Sequence, residues 1–394
     1  MKNTMATIAG VGMTAFGRFP ERSLTDLATE ASLEALSDAR VELRDVQCVY
    51  FSNALAGILS GQECIRGEVF SYSIGLDGIP VINVENACAS GGTALHQAFL
   101  SIAAEEWDCI LVVGAEKMYH QVRDRVIRAL MGAMDIGAID VDSLPMDRSP
   151  FIDVYAERAR RLMKERGVTS YGLACIAAKA WLNGSMNPKA QRVTPISAEE
   201  IMEARLLVEP LTVPMCSLIG DGAAAAVVTS GQTGTQPGVR IRASQLRTLA
   251  ATSGGKSATK VASNAAYEAA SVDPSDVGMA EVHDATAVGE MTSWVDLGLC
   301  PAGDEEKWAT TGHTAIDGPL PVNPSGGLLA RGHPLGASGV AQAYEVVKQL
   351  RGQAGERQVE RRSSIALTQV GGGSIDDRTA VSAVHLFEYV EPRN

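Results

Sequence analysis

EALSDARVELRDVQCVYFSN (34–53) and AAYEAASVDPSDVGMAEVHDA (265–285) share one layout: an Ala-rich helical stretch, a polar turn and a short apolar strand. Val41, Asp45 and Val46 of the first fall opposite Val272, Asp276 and Val277 of the second at a constant offset. The likeness continues outward. ASGGTALHQAF (89–99) faces ASGVAQAYEVV (337–347), each followed by an apolar strand, CILVVGA (109–115) and SIALTQV (364–370). The two stretches also end alike, in DGAAAAVVTS (221–230) and GGGSIDDRTAVSAV (371–384). Self-similarity on this scale marks a duplicated unit. Ala-rich helices alternating with short Val/Ile strands predict an α/β fold whose sheets are mostly parallel and buried on both faces.

The halves differ in one place. The second runs almost directly from its strand into GGGSIDD, whereas in the first about a hundred residues, 117–215, separate VVGAE from IGDGAAA. This predicts three parts: a first half made of 1–116 plus 216–232, an inserted loop domain over 117–215, and a second half over 233–394. The insertion carries two helical patterns, FIDVYAERARRLMKERG (151–167) and YGLACIAAKAWLNGSM (171–186), with Met-rich, poorly periodic sequence over 118–148. A long insertion with its own helices, set on a rigid sheet, commonly forms a lid or one wall of a binding site.

Composition narrows the classes. A chain of 394 residues, 46% hydrophobic and 20% charged, is long enough for two fused cores. Its net charge of -12 offers no general attraction to nucleic acid or anionic membrane. The seven cysteines, at 48, 64, 88, 109, 175, 216 and 300, have neither zinc-ligand nor disulfide-framework spacing, so reduced thiols and no metal are expected. No apolar run reaches the roughly 20 residues of a membrane span. The start, MKNTMATIAGVGMTAFGRF, reads as a strand rather than a signal peptide, and the final EPRN carries no retention tripeptide. The expected location is cytoplasmic.

Three side chains stand out as chemistry. Cys88 lies at the entry to the helix ASGGTALHQAF, where unpaired N–H groups and the helix dipole are expected to lower its pKa and supply thiolate. Alone, a cysteine among apolar neighbours is more often packing. His333 sits in the Gly- and Pro-rich stretch NPSGGLLARGHPLGASG (323–339), before the equivalent helix of the second half. The repeat relation brings the two helix N-termini toward a pseudo-twofold axis, so Cys88 and His333 are expected to meet there as a nucleophile–base pair. His283 ends the strand VGMAEVHDA, at the kind of loop where open sheets place ligands. The histidines at 96, 120, 313 and 385 lack such a context and are expected to be structural.

With these motifs in order, CASGG (88–92), HDAT (283–286), GHPLG (332–336) and VGGG (370–373), the chain resembles the thiolases, in particular the sterol-carrier-protein-x branch. IAGVGMTAFGRF, GQECIRG (61–67), YAERARRLMKERG, NPKAQ (187–191) and SLIGDGAAAAVV extend the resemblance over nearly the whole chain. It implies a thiolase-like fold of two βαβαβαββ halves in five αβαβα layers. It also implies an acyl-enzyme on Cys88, with His333 taking the thiol proton, and coenzyme A as substrate without a covalently bound cofactor. His283 and His333 would form one oxyanion hole, and the backbone N–H groups of Cys88 and Gly371 the other.

One departure matters. The second cysteine of ordinary thiolases is missing, since Ala285 and Gln369 stand at its two usual positions. His283 or His333 is then the expected acid for the carbanion. The favoured reading is CoA-dependent cleavage of a non-standard, branched or aromatic, 3-oxoacyl-CoA. The alternatives are a ketosynthase-like condensing enzyme and a catalytically silent acyl-CoA-binding subunit. A retro-aldolase is disfavoured by the presence of Cys88. The resemblance further implies a homodimer with GQECIRG near its interface, and a small zinc-ribbon/OB-fold partner protein.

Overall fold

The computed structural model describes residues 5–231, 238–250, 256–360 and 362–390. The expected boundary between 232 and 233 and the terminal EPRN lie outside the described residues. Eleven strands are present among these: β1 (Thr7–Met13), β2 (Cys48–Ser52), β3 (Val81–Val84), β4 (Cys109–Glu116), β5 (Leu206–Val208), β6 (Leu211–Thr212), β7 (Gly222–Thr229), β8 (Gly238–Thr248), β9 (Val277–Glu281), β10 (Ile365–Ile375) and β11 (Arg378–Val390). Nine form one sheet in the order β3-β2-β4-β7-β1-β8-β11-β10-β9, while β5 and β6 make a small separate hairpin.

The duplication is visible in that order. From the outside inward, β2 runs parallel to β4, β4 antiparallel to β7, and β7 antiparallel to β1. In the second half β9 runs parallel to β10, β10 antiparallel to β11, and β11 antiparallel to β8. Even β3, parallel to β2, has a vestigial counterpart in the parallel bridge between Ala280 and Val322. The halves meet edge to edge through β1 and β8, where Thr7 pairs with Arg240 and Ile8 with Val239. The sheet is therefore mixed, not mostly parallel as the apolar strand runs suggested. Burial on both faces, which produces runs such as GAAAAVV (222–228), does not require parallel pairing.

The repeated turns also match. Leu24–Ala39 and Ala258–Ala270 are helices that end in a left-handed residue, Arg40 (φ 55°) and Ser271 (φ 52°). Each is followed by a short 3-10 turn with the same reciprocal cap: the Asp45 carboxylate accepts from Glu42 N–H at 3.1 Å, and that of Asp276 from Asp273 N–H at 2.8 Å.

Two central helices, Ser90–Ala103 and Leu335–Leu350, pack on one another between the strands of the two halves, and helices Leu24–Ala39 and Ala258–Ala270 cover the outer faces. This is the five-layer arrangement. The central pair crosses at bare backbone: a Cβ on Gly339 would lie 2.3 Å from Gly92 N, and one on Gly91 2.9 Å from Gly336 O. Small residues at this crossing are what let the two helix N-termini approach.

Segment 117–215 holds helices Arg123–Met131, Phe151–Arg166, Ser170–Ser185 and Ala198–Glu203. The first lies in the stretch that lacked clear periodicity. Ala156, Ala159, Leu173, Ala177 and Ala180 of this segment share one core with Val282, Trp294, Val322 and Leu329 of the second half. Among the described residues no helix is long and apolar enough to cross a membrane.

Candidate active site

The chain leaves β3, passes through the 3-10 turn Ala87–Ala89 and enters helix Ser90–Ala103, so that Cys88 stands at the helix mouth. Ala87 is in the left-handed region (φ 50°), a conformation that costs a non-glycine residue about 1–3 kcal/mol. Ser90 holds it there: its hydroxyl donates to Ala87 O at 2.6 Å and accepts from Asn86 N–H at 2.9 Å.

His333 comes from the equivalent entry of the second half. Its backbone N–H donates to Leu218 O at 3.2 Å, and its Nδ1 lies 2.7 Å from Ser338 Oγ. The Ser338 hydroxyl spends its proton on Pro334 O at 2.8 Å. It is left with lone pairs only, so Nδ1 carries the imidazole proton and Nε2 is the basic nitrogen. That Nε2 is buried and has no partner in the protein. Beneath the loop, the buried Arg331 guanidinium pairs with Glu281 at 3.1 Å.

His283 follows β9, and its backbone N–H donates to Gln369 Oε1 at 3.1 Å. The next residue ties this strand end to the His333 loop, because the Asp284 carboxylate accepts from Leu328 N–H at 2.7 Å and from Leu329 N–H at 3.3 Å. The rings of His283 and His333 meet edge to face, 5.3 Å apart at 79°. One ligating atom from each of Cys88, His283 and His333 lies within 4.8 Å of the others. Such a thiol–imidazole group is also the kind of donor set that binds zinc, and among the described residues no other His/Cys/Asp/Glu cluster has this spacing.

The three side chains open into a cleft of about 900 Å³ including its mouth. The insertion supplies an apolar wall, with Met118, Leu130, Phe151, Ile152 and Tyr155, and Gly371–Ser374 line the far side. Ala285 borders the cleft with a bare methyl. Gln369 does not: its amide donates to Thr259 and Ser382 hydroxyls at 3.3 and 3.2 Å, and its carbonyl oxygen holds the His283 backbone. It is a brace, not a reacting group.

Electrostatics correct one expectation. The Cys88 thiol is not lowered but pushed up to about 12, first by burial and then by the Glu116 carboxylate, with partial relief from the N–H groups of Cys88 and Gly373. A helix terminus contributes about 0.3–1 kcal/mol, less than one pKa unit at about 1.4 kcal/mol, and cannot offset this burial. Burial, followed by the nearby charge of Arg158, pulls His283 down to about 4. His333 is held well below its usual value by burial, His283 and Arg331. The resting pair is therefore neutral thiol and neutral imidazole. In the Gly-rich strand the backbone N–H of Gly373 (φ 63°) bears on the sulfur, and Gly371 lines the same cleft. Ser374 N–H, donating to Ala133 O at 2.9 Å, pins this stretch to the insertion.

Glu116, at the end of β4, accepts four hydrogen bonds, from Asn53 Nδ2 and from the N–H groups of Ala54, Leu55 and Gly336, at 2.8, 2.9, 3.1 and 3.0 Å. The first three donors belong to the first half and Gly336 to the second. Sequence reasoning missed Glu116, Ser338, Tyr155, Arg158 and Gly373. For Tyr155 and Arg158 a signal existed: with Phe151 they fall at i, i+4 and i+7 of one helix, and a cation on an apolar face is anomalous.

Comparisons with known proteins agree with this layout. Residues 6–232 match the family model described as Thiolase, N-terminal domain, and residues 242–383 the model described as Thiolase C-terminal domain-like. The chain is 37% identical to an acetyl-CoA acetyltransferase of Methanothermobacter thermautotrophicus over 96% of its own length and 98% of the relative's. It is 34% identical to benzoylsuccinyl-CoA thiolase subunit BbsB of Thauera aromatica, over 93% and 94%, and 33% identical to sterol carrier protein 2 of Bos taurus, over 93% and 70%. Among solved structures it shares its fold with an Ltp2–ChsH2(DUF35) aldolase (TM-score 0.80, 22% identity, 98% of each chain). The same holds for the Acat5 thiolase from Ascaris suum in complex with coenzyme A (TM-score 0.70, 15% identity, 98% of this chain and 100% of that one). With both halves of the family model matched and relatives above 30% identity along almost its full length, the chain belongs to the thiolase family and is an acyltransferase of thiolase type.

Proposed function

We propose that the protein cleaves a non-standard 3-oxoacyl-CoA, branched or aromatic, by CoA-dependent thiolysis through an acyl-enzyme on Cys88. The observation that carries this reading is the partnerless Nε2 of His333 beside the Cys88 thiol. His333 Nε2 takes the thiol proton as sulfur attacks the 3-oxo carbon, whose oxyanion meets the N–H groups of Cys88 and Gly371. The C2–C3 bond breaks, and its electron pair forms the enolate of the departing acyl-CoA, whose thioester oxygen faces His283. The proton on His333 passes to C2. In the second stage CoA–SH gives its proton to His333, its sulfur attacks the acyl-enzyme, and Cys88 leaves and recovers that proton. One base thus serves both stages, and the cycle balances without a second cysteine.

The wide apolar wall from the insertion supports a bulky acyl group, and one relative is named for a benzoylsuccinyl substrate. A homodimer is supported by exposed Ile65, Val69 and Tyr72, on and just before the helix Arg66–Ser73 that packs beside the short edge strand β3. A small zinc-ribbon/OB-fold partner is supported by the names of two similar proteins, a thiolase subunit and an aldolase paired with a DUF35 chain. Copurification with tagged protein tests that association.

Intact-protein mass spectrometry after incubation with a panel of 3-oxoacyl-CoA thioesters tests the reaction. The expected result is one acyl mass on Cys88 that disappears on adding CoA with release of acyl-CoA. An acyl adduct that CoA cannot discharge, or none with any thioester, overturns the reading.

A further inference from the structure

The cleft wall contributed by helix Phe151–Arg166 is apolar except for one cation. Arg158 is half-buried, lines the cleft with Cys88 and His283, and lies over the ring of Tyr155 with its guanidinium carbon 5.0 Å from the ring centroid. Its hydrogen bond from Nη2 to Asp377 O at 3.1 Å is backbone-directed, and among the described residues no carboxylate lies within ion-pair reach of it. Two other arginines of the same helix are paired, Arg160 with Glu157 and Arg166 with Glu305, and Arg161 is exposed outside the cleft. A guanidinium is built to grip a planar anion with two parallel bonds, and here, beyond the bond to Asp377 O and the more distant charge of Asp296, that capacity is not taken up.

We propose that Arg158 receives a carboxylate carried on the acyl side of the substrate, so that the enzyme selects a 3-oxoacyl thioester bearing a second acid group. This deepens the thiolysis reading above and rests on it. The alternative anion in the same substrate is a phosphate of coenzyme A. The whole pantetheine arm separates the thioester sulfur from the nearest phosphate. Arg158 shares its cavity with the reacting groups, and its charge is one of the two causes that hold His283 low. It lies too near the reacting centre for those phosphates. The selection works in both directions: an acid group gains a charge-assisted pair, whereas a hydrocarbon chain packed there covers an unpaired cation.

The experiment measures binding, not turnover, so that it stands apart from the thiolysis test. Unreactive carboxypentyl and hexyl thioethers of pantetheine, which carries no charged phosphate, are titrated calorimetrically into the wild-type protein and into Arg158→Gln and Arg158→Lys. The same two tails on coenzyme A form the second arm. The expected result is about a ten- to hundredfold preference for the carboxylate tail on both carriers. It should be lost in R158Q with hexyl binding retained, and partly kept in R158K. Equal affinity for the two tails in the wild type overturns the proposal, as does an equal loss of both in R158Q. A loss in R158Q confined to the coenzyme A arm, whatever the tail, reassigns Arg158 to a phosphate and also overturns it. Failure of thiolysis with the tail preference intact would instead count against the reaction.

Discussion

The two strand-to-helix entries of the duplicated unit are equivalent in position and opposite in character. In the first half, Glu85 is exposed and Asn86 and Cys88 are half-buried, and one strained residue, Ala87, sets the turn. In the second, every residue from Pro321 to Leu335 is buried, and the stretch is held by Asp284, Glu281 and Ser338. The copy that carries the sulfur stays open to substrate, and the copy that carries the imidazole is sealed. Duplication supplied two matching frames; divergence assigned access to one and orientation to the other.

The sharpest way to break this comparison is to empty one side of it. Cys88→Ala is expected to lower CoA-dependent cleavage by about 10⁴-fold or more, as loss of a nucleophile does elsewhere, and to abolish the acyl mass. Cleavage surviving near the wild-type rate would remove Cys88 from the chemistry. Ser338→Ala frees His333 Nδ1 and leaves its tautomer unspecified. A drop of about ten- to a hundredfold in kcat with KM nearly unchanged is expected, part of the 10²–10⁴ that a positioned base supplies. Loss of KM alone would show that the sealed side orients substrate rather than the base.

Acid should separate the halves next. His283 (about 4), His385 (about 3) and His333 (well below its usual value) are all in the second half, all lowered chiefly by burial. As pH falls below the ordinary imidazole value of 6.5, the unfolded chain binds protons that the folded chain refuses until about pH 4 or lower, so this stability is full above 6.5 and declines through that window. Burial raises the Glu281 and Asp284 carboxyls of the same half, so they take up protons on folding over this window and oppose the loss. The histidine share is therefore read by difference, and the urea midpoint should fall less from pH 7 to pH 5 in His385→Gln than in the wild type. An equal fall in both would show that the buried imidazole carries no such burden. The smallest effect concerns what the halves still share. Asp45→Ala and Asp276→Ala should each cost about 1 kcal/mol in thermal unfolding, and by the same amount, because they remove the same cap.

Much of this frame was legible in the chain itself. Strand and helix periods survive duplication, so Val41, Asp45 and Val46 could be laid over Val272, Asp276 and Val277 without a structure. Cys88, His283 and His333 stood out because glycines and small residues surround them, and the fold brings the three together. Strand direction was not legible: the alanines of β7 read alike whether their neighbours run parallel or antiparallel. The charge state of Cys88 was hidden for a related reason, since burial and the proximity of Glu116 arise only when distant segments close over the sulfur. Arg158 was written into an insertion whose place over the cleft no local pattern announces.

The Glu116 carboxylate has a role that no step of thiolysis requires. Bound to Asn53, Ala54 and Leu55 on one side and to the mouth of the other central helix at Gly336, it rivets the sulfur-bearing body to the imidazole-bearing one, and its charge also discourages the sulfur from ionising. Cohesion and reactivity thus hang on a single side chain. A lineage that neutralised it to gain a readier thiolate would loosen the seam that sets the distance across which the proton must travel.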